Sequence, residues 1–582
     1  MVRSTPFQVH TFRVTPLQTV SPRSLTGKQW ILRRESPLAP GQNIAEVLAL
    51  ERGISSVGSP GSGKLSDPFL FPEMQQAVGR IERAVQGGEK VGIFGDYDAD
   101  GITGTLQLIR YFRRRGIEPE TCLPDRLTEG YGLKLQSIEH FREKGVTLLL
   151  TVDTGITAHT EIAAARAAGI DVIVTDHHRV RGGRPGAYAV LHPEVPFPFP
   201  NPHLSGSGVA FMLVRALEHL EIWEGIEEDA VLATIGTIGD LVPLTGENRV
   251  LVYHGLKLML GLKPGPLREL IESVSASDGR PLTSGDIAFR VVPRINAAGR
   301  LEHPSLALQA LLHGGAALER LHELNSERRT MVEDLTELAL SLVDRRQLFL
   351  TLKHTKFTPG VVGLIAGRLT ELFGRPALVA SIGGDACVGS IRGIPSLDIM
   401  ECLEHPAVRP HLFSYGGHAQ AAGCTLSLSA FDALAAGLWR AMLDRGMNEE
   451  TLVPTLFLDG ELPEQGVGMD FARHLSLLEP FGKQNEEPVF LFRNRCLTDA
   501  RAVGAEARHL QCRIGGVKAI GFGLGRFAQE VSSSVPPFDS ASLDCARGRQ
   551  GRLDIACKIT VSTWKGREEL EYQIQDIRKA IS

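Results

Sequence analysis

The sequence predicts an α/β protein: two α/β domains joined by a long helix, followed by a small β-barrel domain. Three observations carry this. From 74 to 240, helical and strand-like segments alternate, as βαβ units around a parallel sheet do. Residues 316–347 contain no Pro or Gly, and their apolar positions 321, 324, 331, 335, 338 and 342 keep helical spacing over a length that bridges two domains. Beyond 452, short β-like runs dominate. The expected division is a segment and linker at 1–73, a first α/β domain at 74–315, the helix at 316–347, a second α/β domain at 348–445 and the barrel at 452–582.

The first 65 residues are rich in Pro, Ser and Gly and only weakly periodic. Within them Gly58, Gly63 and Lys64 have phosphate-loop spacing. The next residue is Leu65, where such a loop needs a hydroxyl for Mg²⁺, and no strand precedes it, so the stretch reads as linker. MQQAVGRIERAV is then a helix, KVGIFG a strand, and TGTLQLIRYFRR a helix. TLLLTVD (147–153) is a strand, HTEIAAARAAG a helix, and DVIVTDHH (171–178) begins as a strand. VAFMLVRALEHL and DAVLATIGTIGDLV read as buried helices. After the long helix, GVVGLIAGRLTELF is a helix and PALVASI a strand. The barrel strands are sought in TLFLDG, PVFLF, AIGFGL, LDIACKITV and ELEYQIQDI. RYFRRRG (110–116) reads as a solvated helix face rather than a phosphate-tracking patch.

Composition excludes some classes. No apolar run approaches the roughly 20 residues of a membrane span, and MVRSTPFQVHTFRV lacks the apolar core of a signal peptide. The eight cysteines are scattered singly, as reduced thiols of a cytoplasmic protein are. A net charge of −5 offers no general attraction for nucleic acid, yet it leaves room for a local basic groove, because acidic metal ligands offset basic residues elsewhere.

The chemistry concentrates at strand ends. Asp96, Asp98 and Asp100 follow the strand VGIF, and alternate residues there point to one side. Three carboxylates so placed repel one another unless a cation sits among them. Asp153 ends the next strand, Asp176, His177 and His178 follow the third, and Asp240 follows a buried helix. A parallel sheet can bring all of these to its carboxyl edge. A shell of carboxylates with one or two imidazoles and no thiolate suits Mn²⁺ or Mg²⁺ better than Zn²⁺. More carboxylates than one ion needs points to two ions, with Asp153 as the shared ligand.

GDYDADG, VDTGI, TDHH and GTIGDLVPL resemble, in order, the motifs of the DHH phosphoesterases. PRINAAGRL (293–301), LNSER (324–328), GGHAQAAG (416–423) and LEPFGKQNEEPVF (478–490) are similar to those of the RecJ family, the bacterial 5′→3′ single-strand-specific DNA exonucleases. The resemblance spans about 65–530 and implies DHH, DHHA1 and OB-fold domains. It implies that Asp98, Asp100, Asp153, His177 and Asp240 hold Mn²⁺ or Mg²⁺ with Asp96 close by, and that Asp176 fixes its neighbouring imidazole. His178 would face the scissile phosphate, and Asn296 and Arg300 would bind substrate phosphates. Gly416, Gly417 and His418 would form the nucleic-acid loop of the DHHA1 domain. Hydrolysis in line at the two ions would release 5′-mononucleotides, in DNA repair and recombination. A single-strand-binding protein and a helicase are the implied partners, with a monomer as the default state.

The chain departs from the family pattern at four places. Phe357-Thr358 stand where Trp-His is usual, Gly389 where a phosphate-binding arginine is expected, Gln484 in a loop usually written GxGN, and His192 where Asn is usual. Arg392 is the expected replacement for the arginine. A phosphodiesterase of short oligonucleotides or small nucleotides is the competing enzyme reading, and the long C-terminal barrel argues against it. A non-catalytic single-strand-binding scaffold is the third, and the intact acidic set argues against that.

Overall fold

The computed structural model describes residues 23–34, 43–54, 64–126, 128–275, 280–463, 467–533, 552–564 and 567–580. Gly58 and Gly63 lie outside the described residues; Leu65, which follows Lys64, is buried in the apolar core. The chain forms two compact units, one comprising Ala49–Leu452 with Leu477–Glu486, the other Met1–Leu48, Val453–Ser476 and Glu487–Ser582.

The larger unit holds two sheets. The first is all parallel, in the order Glu120–Cys122, Val91–Gly95, Leu148–Val152, Asp171–Thr175, Ala189–Leu191. Its central strands are buried along their whole length, as a parallel sheet covered by helices on both faces requires. Chain order reverses between Val91–Gly95 and Leu148–Val152, so the crevice for a ligand lies beyond the carboxyl ends of those two strands. Asp96 and Asp153 stand there. Glycines let the layers close: a Cβ on Gly104 would meet Val152 at 2.7 Å, and one on Gly101 would meet the Asp96 backbone at 2.6 Å.

The RYFRRRG stretch is solvated over Arg113, Arg115 and Gly116, as a helix face is, and its arginines are matched by acids rather than left free for phosphate. Tyr111 and Phe112 are buried, and Arg110 and Arg114 both reach the buried carboxylate of Asp229, at 3.0 and 2.9 Å. Arg113 pairs with Glu118 and Arg115 with Glu218. The charges tie this helix to the neighbouring helix Glu227–Gly239 and its surroundings.

Helix Gly315–Leu342 runs 28 residues, about 42 Å, and leads to the second sheet. That sheet has the order Ser414–His418, Ala421–Ser427, Ala386–Arg392, Ala377–Gly383, Leu350–His354, antiparallel except for its last pair. Helix Val362–Phe373 covers it. Phe357 is buried against the long helix and Val361, so the Phe-Thr departure serves as an apolar anchor.

The smaller unit is built on a seven-stranded sheet whose centre is the antiparallel hairpin Leu553–Trp564 and Arg567–Lys579. These two strands are longer than the short runs read from the sequence. The N-terminal segment is not all linker: Gln29–Leu32 pairs in parallel with Thr455–Leu458. Trp30 fixes it, donating its indole N–H to Asp576 at 2.9 Å beneath the Arg578 guanidinium. A four-residue strand held by a residue more than five hundred positions away leaves no periodicity to read.

Candidate metal centre

Three elements converge on the crevice. Asp98 caps helix Ala99–Arg114: its Oδ1 accepts from the Asp100 and Gly101 N–H groups at 2.9 and 3.2 Å. Asp100, on the first turn, is gripped by the start of helix Gly206–Leu217, with Gly206 N–H donating to Oδ2 at 2.7 Å and Ser207 N–H to Oδ1 at 3.0 Å. A Cβ on Gly206 would lie 2.5 Å from the Asp153 carboxylate, and one on Gly236 would lie 2.5 Å from Asp100 Oδ1. The packing therefore admits only glycine at both places. Asp153 sits in the left-handed region at φ 60, a strained conformation for a non-glycine residue and one that clusters at functional sites.

His177 Nε2 lies 3.1 Å from Asp153 Oδ1, 3.6 Å from Asp240 Oδ2 and 3.8 Å from Asp100 Oδ2. The donor atoms fall into groups compact enough to hold an ion: Asp96, Asp98 and Asp153; Asp100, His177 and Asp240; and Asp153, His177 and His178. Asp153 joins the first group to the third, the position a shared ligand would occupy. Asp96 Oδ1, Asp153 Oδ1 and His177 Nε2 are buried and, among the described residues, make no hydrogen bond. Buried polar atoms are rarely left unpaired, and orphans of this type, oxygen and imidazole nitrogen, fit a hard divalent cation.

Electrostatics agree. Burial, then the charge of Asp98, pushes Asp96 well above the carboxylate range. Burial and the charges of Asp100, Asp98, Asp96 and Asp240 do the same to Asp153. Asp240 is raised by burial and by Asp100 and Asp98, and Asp100 goes up to about 7 from burial and Asp98. Burial and the charge of His178 lower His177 to about 3, so its imidazole is neutral, the form that binds metal. His178 behaves oppositely: burial works against its charge, yet the hydrogen bond from Nδ1 to Asp176 Oδ1, 2.9 Å, carries it up to about 9. Asp176 is buried, and that bond with the His178 charge holds it below its ordinary value. Its oxygens also accept the His177, His178 and Ile156 backbone N–H groups.

The structure thus brings Asp96, Asp98, Asp100, Asp153, Asp176, His177, His178 and Asp240 together. His418 joins them, stacked on His178 with ring centroids 6.0 Å apart. Gly417 has φ 147, and a Cβ there would lie 2.3 Å from the Ala421 carbonyl oxygen, whereas the space beside Gly416 is open. Asn296 Oδ1 accepts the Ala99 N–H at 2.7 Å, bracing the helix that carries Asp100. Arg300 is packed on Gly360, whose carbonyl takes its Nη1 at 3.2 Å. Burial and the charges of Arg126, Arg328 and Arg392 hold its guanidinium down at about 9.

Gly389 does not mark a missing arginine. A Cβ there would meet Leu378 and Cys424 at 2.8 and 3.0 Å, in the core. Ser390 and Arg392 lie two apart on the same strand, Arg392 Nη1 donating to Ser390 Oγ at 3.1 Å. His192 is buried: its Nδ1 accepts the Glu194 N–H and its Nε2 donates to the His178 carbonyl at 2.9 Å, fixing the turn behind the imidazole pair. Gln484 takes φ 62 in a loop pinned by buried Asn485, whose Nδ2 donates to the Leu478 and Pro480 carbonyls.

Sequence reasoning missed the Ser205–Ser207 cradle, Tyr131 and Arg126. Ser205 before Gly206 is a helix-start signal; the reading began that helix three residues later. Tyr131, on a loop, donates its hydroxyl to the Asp153 carbonyl at 3.2 Å and lies 3.1 Å from His178 Nδ1.

Known proteins bear the same arrangement. Residues 90–237 match the DHH family N-terminal domain, 346–443 the DHHA1 domain and 458–576 the RecJ OB domain. The chain is 34% identical over 514 residues to the single-stranded-DNA-specific exonuclease RecJ of Thermus thermophilus, covering 87% of this chain and 71% of that one. It is 32% identical over 526 residues to the Bacillus subtilis protein of the same name, covering 88% of this chain and 64% of the relative, so it spans less than two thirds of that relative's length. The crystal structure of Thermus thermophilus RecJ with Mn²⁺ superposes with a TM-score of 0.76 at 30% identity, over 95% of this chain and 80% of that one. With three domains matched in order and two curated relatives aligned along most of its length, the chain belongs to the RecJ family of DHH proteins.

Proposed function

We propose that the protein is a metal-dependent exonuclease that degrades single-stranded DNA from the 5′ end to 5′-mononucleotides, in repair and recombination. The observation that carries this is the cluster of buried, mutually repelling carboxylates around His177, with orphaned Asp96, Asp153 and His177 atoms at the switch point of the parallel sheet. Asp98, Asp100, Asp153, His177 and Asp240, with Asp96, would hold two ions. The Thermus relative is crystallised with Mn²⁺ and with Mg²⁺. When bound, such ions supply an activated water and neutralise the scissile phosphate.

The protein's own residues do the rest. Asp176 keeps a proton on His178 Nδ1, so a charged imidazole faces the phosphate at neutral pH. Arg300 and Arg392, with Arg126 near them, offer guanidinium groups to the phosphates, and Gly416–His418 let the strand approach the second sheet. The OB domain would track the rest of the strand by stacking and charge. Family membership suggests a monomer in the cytoplasm, working with a single-strand-binding protein and a helicase. Among the described residues no helix is long and apolar enough to cross a membrane, and the seven described cysteines are free.

The test is digestion of single-stranded DNA of about 60 nucleotides carrying a label at either end. With Mn²⁺ or Mg²⁺ the 5′ label should appear first as mononucleotide, with neither label released in EDTA. Release of the 3′ label first would overturn the polarity. Cleavage confined to very short oligomers would move the assignment to an oligonucleotide phosphodiesterase.

A further inference from the structure

Helix Val292–Leu301 packs beside the carboxylate cluster. The Val292 methyls lie 3.4 Å from where a Gly239 side chain would begin, one residue from Asp240. Asn296 takes the Ala99 N–H, Gly299 faces the Tyr97 carbonyl, and Arg300 closes on Gly360. Just before Val292 the chain makes a π-turn, Ile287–Val291, that leaves Phe289 83% exposed. Such turns sacrifice regular hydrogen bonding and recur at functional sites.

A single exposed phenylalanine is ordinary on a protein surface; this one has company. Leu241, beside Asp240, is 63% exposed and held at φ 57. Arg294 lies one turn beyond Arg290, and Arg328 and Arg329 lie on helix Gly315–Leu342, which packs on the same helix. Among the described residues none of Arg294, Arg328 and Arg329 pairs with a carboxylate. Arg294 donates to the Arg290 carbonyl and, at 3.3 Å, to His322 Nδ1; Arg328 donates to Asn325 Oδ1 at 3.0 Å and keeps a buried, unpartnered Nε. Burial and their neighbours' charges hold Arg294 and Arg328 below the ordinary guanidinium value. The arginines of the helix Ala99–Arg114, by contrast, are matched by acids. Guanidinium groups without acidic partners, the first of them five residues along the chain from an exposed ring, supply the two components of a single-strand site: cations for phosphates and a flat apolar face for a base.

We propose that this edge is a strand-binding track outside the catalytic pocket, in which Phe289 stacks on a base while Arg294, Arg328 and Arg329 bind phosphates; this rests on the exonuclease reading above. From Phe289 to Arg300 the helix covers roughly 16 Å, the reach of a few nucleotides. A strand of two nucleotides engaged at the metal centre would therefore not span it, whereas one of 20 would.

The test measures binding of fluorescein-labelled oligothymidylate to the full chain in EDTA. Phe289→Ala should weaken the 20-mer by about 5- to 150-fold, the value of one stacked base, and the weakening should shrink as the strand shortens to two nucleotides. Phe289→Tyr should restore binding, and Phe289→Trp should show indole emission quenched by the strand. A Phe289→Ala protein that binds the 20-mer as tightly as the unaltered chain, or a Phe289→Trp emission unmoved by saturating strand, overturns the track while leaving the exonuclease standing. An unaltered chain that neither binds nor digests the strand overturns both.

Discussion

Asp153→Asn should abolish nuclease activity, by about 10³-fold or more in kcat, because it removes the carboxylate shared by two of the three donor groups and with it several kcal/mol of charge stabilisation. The same change should make the metal-free protein more stable. Folding raises the Asp153 carboxyl well above its ordinary value near 4, so the folded chain binds a proton there more tightly than the unfolded one. That contribution is present at low pH and is lost as pH climbs through the raised value. The asparagine carries no charge for Asp96, Asp98, Asp100 and Asp240 to repel. In EDTA its melting temperature should exceed that of the unaltered chain by a few degrees near pH 8 and match it near pH 4. Thermal melts at the two pH values check this. A variant less stable than the parent in EDTA at pH 8 would mean that the carboxylates are not in conflict.

Asp176→Asn should move the pH profile. In the unaltered protein the Asp176 bond keeps His178 protonated up to about 9. A raised histidine is charged below its folded value and loses its proton above it, so activity that needs the charged imidazole should decline on the alkaline side near pH 9. Without the carboxylate, burial and the remaining contacts act on a group whose ordinary value is about 6.5, and the decline should begin two or more pH units lower. At pH 8 a shift of two units lowers the charged fraction, and with it kcat, by about 10-fold, and a return to the ordinary value by about 30-fold. The amide also weakens the cradle of backbone N–H groups at His177, His178 and Ile156, so kcat at pH 6, measured beside it, separates the two effects. A uniform loss at all pH values would assign Asp176 to shape alone.

Much of this was legible in the chain because its signals were local. Each apolar strand is followed at once by its carboxylate or imidazole, and the parallel topology then forces those ends to one edge. The long helix was legible from its spacing, although it ends at Leu342, before Asp344 and Arg346 turn the chain. What stayed hidden depended on distant contacts. The Gly206 and Ser207 N–H groups that hold Asp100 lie more than a hundred residues from it. Arg110 and Arg114 look free in sequence until helix packing delivers Asp229 to them. Gly389 looked like a lost arginine because the family pattern was matched along the chain alone; that a side chain there would meet Leu378 and Cys424 in the core follows only from the packing of the sheet. Phe289 carried no sequence signal, since its exposure follows from a π-turn that no apolar period announces.

The central claim is a pair of ions sharing Asp153. The most direct measurement counts Mn²⁺ per chain by calorimetry and follows the bound metal by electron paramagnetic resonance, with Asp153→Asn alongside. Two ions per chain with a spin-coupled signal, reduced to one or none and uncoupled in the variant, is the predicted result. One uncoupled ion per chain, unaffected by the substitution, would contradict it.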